Sequence, residues 1–278
     1  MKVGFLFYAN QWTSSLEQIV QAFTAEGHYV FLMINDAKQR RLVADKFADN
    51  PHIHIEQLLD GVSVGDLSLA KYYLLMMRSG LENPEIKYFI TLGEPLAPLK
   101  TNQYLEQFLD EYYPANFCKI FEQTIDSKYF DRYYPYTNLK SFGSSKLIQN
   151  WSKMTANLLV FLRIKRKPIE GMVVGSSSFM VSDQGAKQLV AHMEYLLDNF
   201  KLSWFPEQIA LPTMLKKFTT QKHINNNYIL TNQIKPFAEV TPIAFSEKDL
   251  MAQQLFGGPY DQNVVQRLLK HYHQKNTV

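Results

Sequence analysis

Val62–Met77 reads VSVGDLSLAKYYLLMM, and Lys87–Thr101 reads KYFITLGEPLAPLKT. The turn Gly65-Asp66 opens a helix predicted over Leu67–Ser79, with Leu69, Tyr72, Tyr73, Met76 and Met77 on its apolar side. Tyr88–Leu92 is a short apolar run bounded by turn residues, which predicts a buried strand. It leads into Gly93-Glu94-Pro95 and the stiff segment Pro98-Leu99-Lys100-Thr101. A strand whose carboxyl end opens into such a loop is where α/β proteins place ligand chemistry.

Outward from that stretch, strands and helices alternate. Lys2–Tyr8 and Tyr29–Ile34 are apolar runs ended by Ala9-Asn10 and Asn35-Asp36. Between them, Leu16, Ile19, Val20 and Phe23 recur at helical spacing after the capping residues Thr13-Ser14-Ser15, and Gly27 stops the helix. A charged helix over Ala37–Phe47 and a short strand, His52–Ile55, follow. This order predicts a right-handed parallel unit. Further helices are expected at Asn102–Glu111, Leu147–Leu162, Gln184–Asn199, Ile209–Phe218 and Val264–Tyr272, with Gly171–Ser182 as a strand pair or bent strand. The expected fold class is α/β.

The 278 residues carry a net charge of +3 and are 46 % hydrophobic, enough for a sizeable core and too weakly basic to argue for nucleic acid. Cys118 is the sole cysteine, so neither an internal disulfide nor a cysteine metal cluster can form, and a cytoplasmic location fits. No run approaches the ~20 apolar residues of a membrane span. The basic cluster Arg163, Lys165, Arg166 and Lys167 suits a helix C-terminus, an anionic partner or a peripheral contact with the inner membrane surface. Sixteen Tyr and 19 Phe make aromatics the strongest departure from average composition. Tyr rings suit sugar recognition and equally suit a half-buried packing surface.

The dinucleotide fingerprint G-x-G-x-x-G, the phosphate loop G-x-x-x-x-G-K-[ST] and the G-x-S-x-G elbow are all absent from their expected places, and the seven His show no H-E-x-x-H pattern. Five segments do resemble one family. Val62–Met77 resembles V-x-W-G-x-x-S-x-V-x-A, Phe89–Thr101 resembles L-S-G-x-D-Y-P-L-K-[ST], and Gly175–Ser182 (GSSSFMVS) resembles G-S-x-[WY]-[WF]-x-[LV]-S. Phe205–Leu215 (FPEQIALPTML) resembles P-x-E-x-[FL]-[FW]-x-T, and Leu255–Asp261 (LFGGPYD) resembles L-F-A-[RN]-K-F-D. In this order they are similar to the core-2/I-branching β-1,6-N-acetylglucosaminyltransferases and xylosyltransferases, the chain resembling a divergent bacterial-type member.

That resemblance implies a GT-A-like, Rossmann-type fold: a mostly parallel sheet flanked by helices in a single domain. Residues 1–111 would form the nucleotide-binding half and 112–278 the acceptor and catalytic half. It also implies an inverting transfer of a sugar, N-acetylglucosamine being the expected one, from a UDP-sugar to a glycan hydroxyl. No metal or other cofactor is expected, and the chain contains no Asp-x-Asp. The implied partners are the nucleotide sugar, the glycan acceptor and other glycosyltransferases.

By the same resemblance the general base falls at Gln208, which cannot take a proton, with Glu207 beside it. Glu207 is the candidate base through a one-residue shift, and its position also suits an acid favoured by a helix dipole. The donor would meet Ala9, Asn10, Asn35, Asp36, Gly65, Ser68, Glu94, Ser176, Lys235, Gly257 and Gly258. The family's diphosphate-binding lysine is replaced by Pro259, leaving Lys235, Lys248, Arg267 or the backbone N–H groups at Gly257-Gly258 to meet phosphate. The acceptor would meet Arg132, Tyr133, Tyr136 and Trp204. Val64, Leu96, Gln208 and Pro259 replace signature side chains, which keeps open an alternative: a catalytically inactive relative that binds glycan or serves a glycosylation complex.

Overall fold

The computed structural model describes residues 1–57, 62, 65, 67–92, 96–121, 131–139, 142, 145–167, 169–231, 254–258 and 262–274. Among the described residues seven strands form the main sheet: β1 (Lys2–Ala9), β2 (Tyr29–Ile34), β3 (Ile53–Ile55), β4 (Ile86–Leu92), β6 (Asn116–Phe117), β7 (Met180–Ser182) and β8 (His223–Ile224). Their order is β3-β2-β1-β4-β7-β6-β8. The first four are mutually parallel, whereas β7 runs antiparallel to both neighbours. The expected α/β class with a mostly parallel sheet is therefore what the chain adopts, and both halves of it contribute strands to one sheet. Three short strands, β5 (Ala97–Pro98), β9 (Ile229–Thr231) and β10 (Phe256–Gly258), form a second sheet.

The long apolar runs become central strands because both of their faces are covered. Along β1, Val3, Phe5 and Phe7 face one layer while Leu6 and Tyr8 face the other. The first layer holds α1 (Ser14–Ala25), α2 (Ala37–Lys46), α4 (Asn102–Tyr112) and α9 (Gln262–Tyr272). The second holds α3 (Leu67–Gly80), α6 (Asp183–Ala191), α7 (Met193–Phe200) and α8 (Ala210–Phe218). Phe5 stacks on Phe23 at 3.9 Å and meets Phe256 edge-on, so the second sheet is tied to the first layer. Each such fully buried ring contributes roughly 1.5–3 kcal/mol of transfer free energy.

Two expectations are corrected. The helix predicted over Gln184–Asn199 breaks at His192, whose backbone leaves helical geometry. Its imidazole Nδ1 hydrogen-bonds the Gln188 carbonyl at 2.8 Å, and its ring stacks on Phe218 at 4.0 Å. In Gly171–Ser182 only Met180–Ser182 is a strand, and Gly175 makes a single bridge to Ile120. The Gly175 N–H is spent on the Gln208 carbonyl at 2.8 Å, and a side chain there would meet the Lys119 carbonyl at 2.7 Å and the Pro212 ring at 3.0 Å.

A buried polar cluster ties the last helix to the first layer. Asn102 Oδ1 accepts from Tyr272 Oη at 3.0 Å and lies 2.7 Å from Nε2 of the fully buried His28. Lys2 donates to the Glu26 carbonyl, and Glu106 stands 3.9 Å from the His28 ring. Burial holds the His28 pKa below its ordinary 6.5, against the opposing pull of Asn102 and Glu106 and with a smaller contribution from Lys2 and the N-terminus. Below about pH 6.5 the unfolded chain therefore binds more protons at this site than the folded one. Thermal melts should show stability level above that pH and falling beneath it. His54 and His223 are shifted the same way by burial and add to the slope. A His28→Gln chain should show a shallower acid slope; an unchanged slope would place the effect elsewhere.

Candidate functional site

Strand β1 is followed by β2 on one side and β4 lies on the other, so the chain reverses its direction of travel across the sheet between β1 and β4. Open parallel sheets leave a crevice beyond the carboxyl ends of the strands at such a point. Ala9 ends β1 there, and its carbonyl accepts from Asn35 N at 2.9 Å. Asn10 is exposed and accepts from Tyr8 Oη at 2.6 Å and from Asn35 Nδ2 at 3.4 Å. The Asn35 amide also clasps Val62, donating to its carbonyl at 3.0 Å and accepting from its N–H at 3.1 Å. The segment before α3 is thereby pinned to the end of β2. Asp36 is exposed, and its Oδ1 caps α2 by accepting from Gln39 N.

Gly65 is buried just before α3 with φ at +92°, a conformation that L side chains resist. A Cβ there would lie 2.8 Å from Phe142 Cδ1. Its N–H donates to Glu207 Oε1 at 3.2 Å. Glu207 is 2 % exposed and sits in a single 3₁₀ turn, Pro206–Gln208. Phe205, immediately before it, holds φ at +43°, a strained backbone that fixes how the turn leaves the preceding segment. Gln208 is buried as well, and its carbonyl accepts from Gly175 N at 2.8 Å. The Glu207 carboxylate thus lies against the start of α3.

Tyr73 completes this corner. Its hydroxyl is wholly buried and has no hydrogen-bond partner among the described residues. Burial first, then the proximity of Tyr8 and Glu207, raise its pKa far above the ordinary phenol value. Helical spacing marks Tyr73 only as a core position. Nothing in the spacing signals that its hydroxyl faces a carboxylate far along the chain.

The other candidates divide into two groups. Ser68 lies half-buried in the first turn of α3. Ser176 is buried, and its Oγ accepts from Asn227 Nδ2 at 2.9 Å and from Ser178 N at 3.1 Å, so it organises the entry to β7. Asn227, not anticipated from the sequence, also donates to the Ser178 carbonyl. Gly257-Gly258 lies in β10, the middle strand of the second sheet between β5 and β9, so its N–H groups serve the ladders and are not presented to phosphate as expected. Arg267 is exposed on α9. Glu94, Lys235 and Lys248 lie outside the described residues, as do Val64 and Pro259.

The acceptor candidates lie on a flank, against α5 (Lys146–Phe161). Arg132 hydrogen-bonds Asn157 and pairs with Asp131 at 3.4 Å. The Tyr133 ring carries the Arg166 guanidinium at 5.0 Å, and Tyr136 is exposed. Trp204 is buried between Tyr134 and Phe142, with Lys153 Nζ 4.8 Å from its ring. Arg166 leaves the basic cluster to donate to the Asn199 carbonyl at 2.7 Å and Ser203 Oγ at 2.6 Å, so it seals the end of α7. A separate cavity of about 430 Å³, lined in part by Tyr29, His52, Gly80 and Ile86, opens at the amino-terminal end of the strands, away from this site. Among the described residues no three His, Cys, Asp or Glu converge as a metal-ligand set.

No protein-family model matches the chain. No curated protein matches it either. Among solved structures it is similar to a glycosyltransferase involved in the glycosylation of the major capsid of PBCV-1, at 8 % identity and a TM-score of 0.40, covering 99 % of this chain and 100 % of that one. A likeness at that level decides neither family nor activity.

Proposed function

We propose that the chain is a glycosyltransferase that moves a sugar from a UDP-sugar donor to a glycan hydroxyl with inversion, without a metal, and with Glu207 as general base. The observation that carries this reading is the carboxylate of Glu207, buried at the carboxyl end of the sheet and held by the Gly65 N–H beside the Asn10–Asn35 cluster. Exposed Asn10, held by Asn35, supplies a polar side chain for a base or ribose, and helix N-termini offer N–H groups to diphosphate. In the reaction the acceptor oxygen attacks the anomeric carbon as the bond to the diphosphate oxygen breaks. The electron pair leaves with uridine diphosphate, and Glu207 takes the hydroxyl proton. N-acetylglucosamine is the sugar favoured by the motif resemblance.

Incubating the purified chain with a panel of nucleotide sugars and a chelator, and following nucleotide release, tests the proposal. Release from a uridine-diphosphate sugar is expected, rising when a glycan acceptor is added. Neither release from any donor nor uridine-diphosphate binding would end it. A second reading has its own support: a buried carboxylate whose Oε1 closes the turn before α3 is also what a non-catalytic glycan-binding relative would keep. Glycan binding without donor binding would select that reading.

A further inference from the structure

Helix α5 carries its largest apolar side chains on its outward face. On its protein-facing side Ala156 and the half-buried Ile148 pack on the Tyr134, Phe142, Trp204 and Phe205 cluster, and buried Ser152 hydrogen-bonds the Pro135 carbonyl. Leu147, Trp151, Met154, Leu158 and Phe161 point to solvent, Leu147 being 69 % and Phe161 82 % exposed. Each residue advances about 100° around the axis, so these five share one stripe about 80° wide, opposite Ala156. Leu162 and Ile164 extend the exposed apolar surface past the helix end. A surface helix ordinarily shows its core the apolar face and water the polar one.

The charge around the stripe is one-signed. Lys146 through Lys167 contains six cations and no acid, although the whole chain is only +3. Lys146, Lys153, Arg163, Lys165 and Lys167 are exposed, whereas Arg166 is buried in its structural role. A second copy seated on this face would bring two such stretches together, so charge opposes self-pairing through it. An apolar stripe carrying Trp and Phe, flanked by Lys and Arg, has the make-up of a helix that lies in a bilayer interface. No helix among the described residues is long and apolar enough to cross a membrane.

We infer that α5 is a membrane-docking helix that lies in the surface of an anionic bilayer, with Trp151 and Phe161 in the acyl boundary and Arg163, Lys165 and Lys167 at the headgroups. The inner face of α5 rests on Trp204-Phe205, two residues from Glu207, so the docked helix lies between the lipid and the segment that carries Glu207. Lipid binding requires no sugar donor, so it stands or falls separately from the transfer reaction.

The test is flotation of the purified full chain with vesicles of phosphatidylcholine alone and of phosphatidylcholine mixed with phosphatidylglycerol. Partition should favour the anionic vesicles at least about tenfold and weaken as salt is added. Emission from Trp151 should shift to the blue on binding, a Trp151→Phe chain giving the background from Trp12 and Trp204. The double variant Trp151→Ser/Phe161→Ser, at positions too exposed to support the core, should partition at least about tenfold less with an unchanged melting temperature. Changing Arg163, Lys165 and Lys167 to Gln should cost about fivefold per charge. No preference for anionic vesicles, partition unaffected by the double variant, or lipid-free self-association that depends on Trp151 and Phe161 would each overturn the inference.

Discussion

Replacing Glu207 by Gln is expected to lower turnover of the nucleotide sugar by about 10²–10⁴-fold with little change in stability. The two effects separate because Gln keeps an oxygen where Glu207 Oε1 accepts from the Gly65 N–H at 3.2 Å. The closed turn before α3 survives, and only the capacity to take a proton is lost. Glu207→Ala should do more damage to the fold, since the Gly65 N–H then loses a buried acceptor at a cost of about 1–3 kcal/mol. Gln208→Ala is the control at the neighbouring position, because the bond from Gly175 goes to the Gln208 backbone carbonyl. Steady-state rates and thermal melts on the three variants settle the assignment. Glu207→Gln with wild-type turnover would place the base on another residue.

The second large effect is expected at Gly65. An alanine there must hold φ at +92° and place its Cβ 2.8 Å from the Phe142 ring and 3.4 Å from the Phe205 ring. The backbone term alone costs about 1–3 kcal/mol, and forcing the Phe142 ring aside adds a similar amount. A Gly65→Ala chain should therefore melt several degrees lower, and it should lose turnover because the N–H that orients Glu207 moves with it. Combining it with Phe142→Ala separates the terms. If crowding contributes, the two substitutions together will cost less than their sum, and the backbone share will remain. Equal melting temperatures for Gly65→Ala and the wild type would mean that this turn is not under the constraint described.

The central strands were legible because burial on both faces leaves unbroken apolar runs at Lys2–Tyr8, Tyr29–Ile34 and Tyr88–Leu92. Caps were legible because their chemistry is local: Thr13 closes α1 by accepting from Leu16 N, as its position suggests. The break at His192 was not, because the apolar spacing continues through it and the cause is a ring stacked on Phe218 from another helix. Helix α5 was visible as a helix, but spacing cannot say which face meets the protein. That is decided by the Tyr134, Phe142, Trp204 and Phe205 cluster, against which Ile148 and Ala156 pack. At the site, the turn chemistry of Asn10, Asn35 and Gly65 could be read locally. The contact of Gly65 with Glu207 joins residues 142 positions apart, and the placement of Tyr73 beside them depends on the same long-range closure. Such pairings follow from how the layers pack and leave no periodic mark.

The most direct measurement of the central claim is a structure of the chain with uridine diphosphate bound. The nucleotide is predicted at the carboxyl ends of β1 and β2, with uridine against Asn10 and Asn35 and the diphosphate leading towards the start of α3, so that a donor's anomeric carbon would lie between it and Glu207. Uridine diphosphate seated instead in the cavity beside Tyr29, His52 and Gly80, at the opposite end of the strands, would contradict the account.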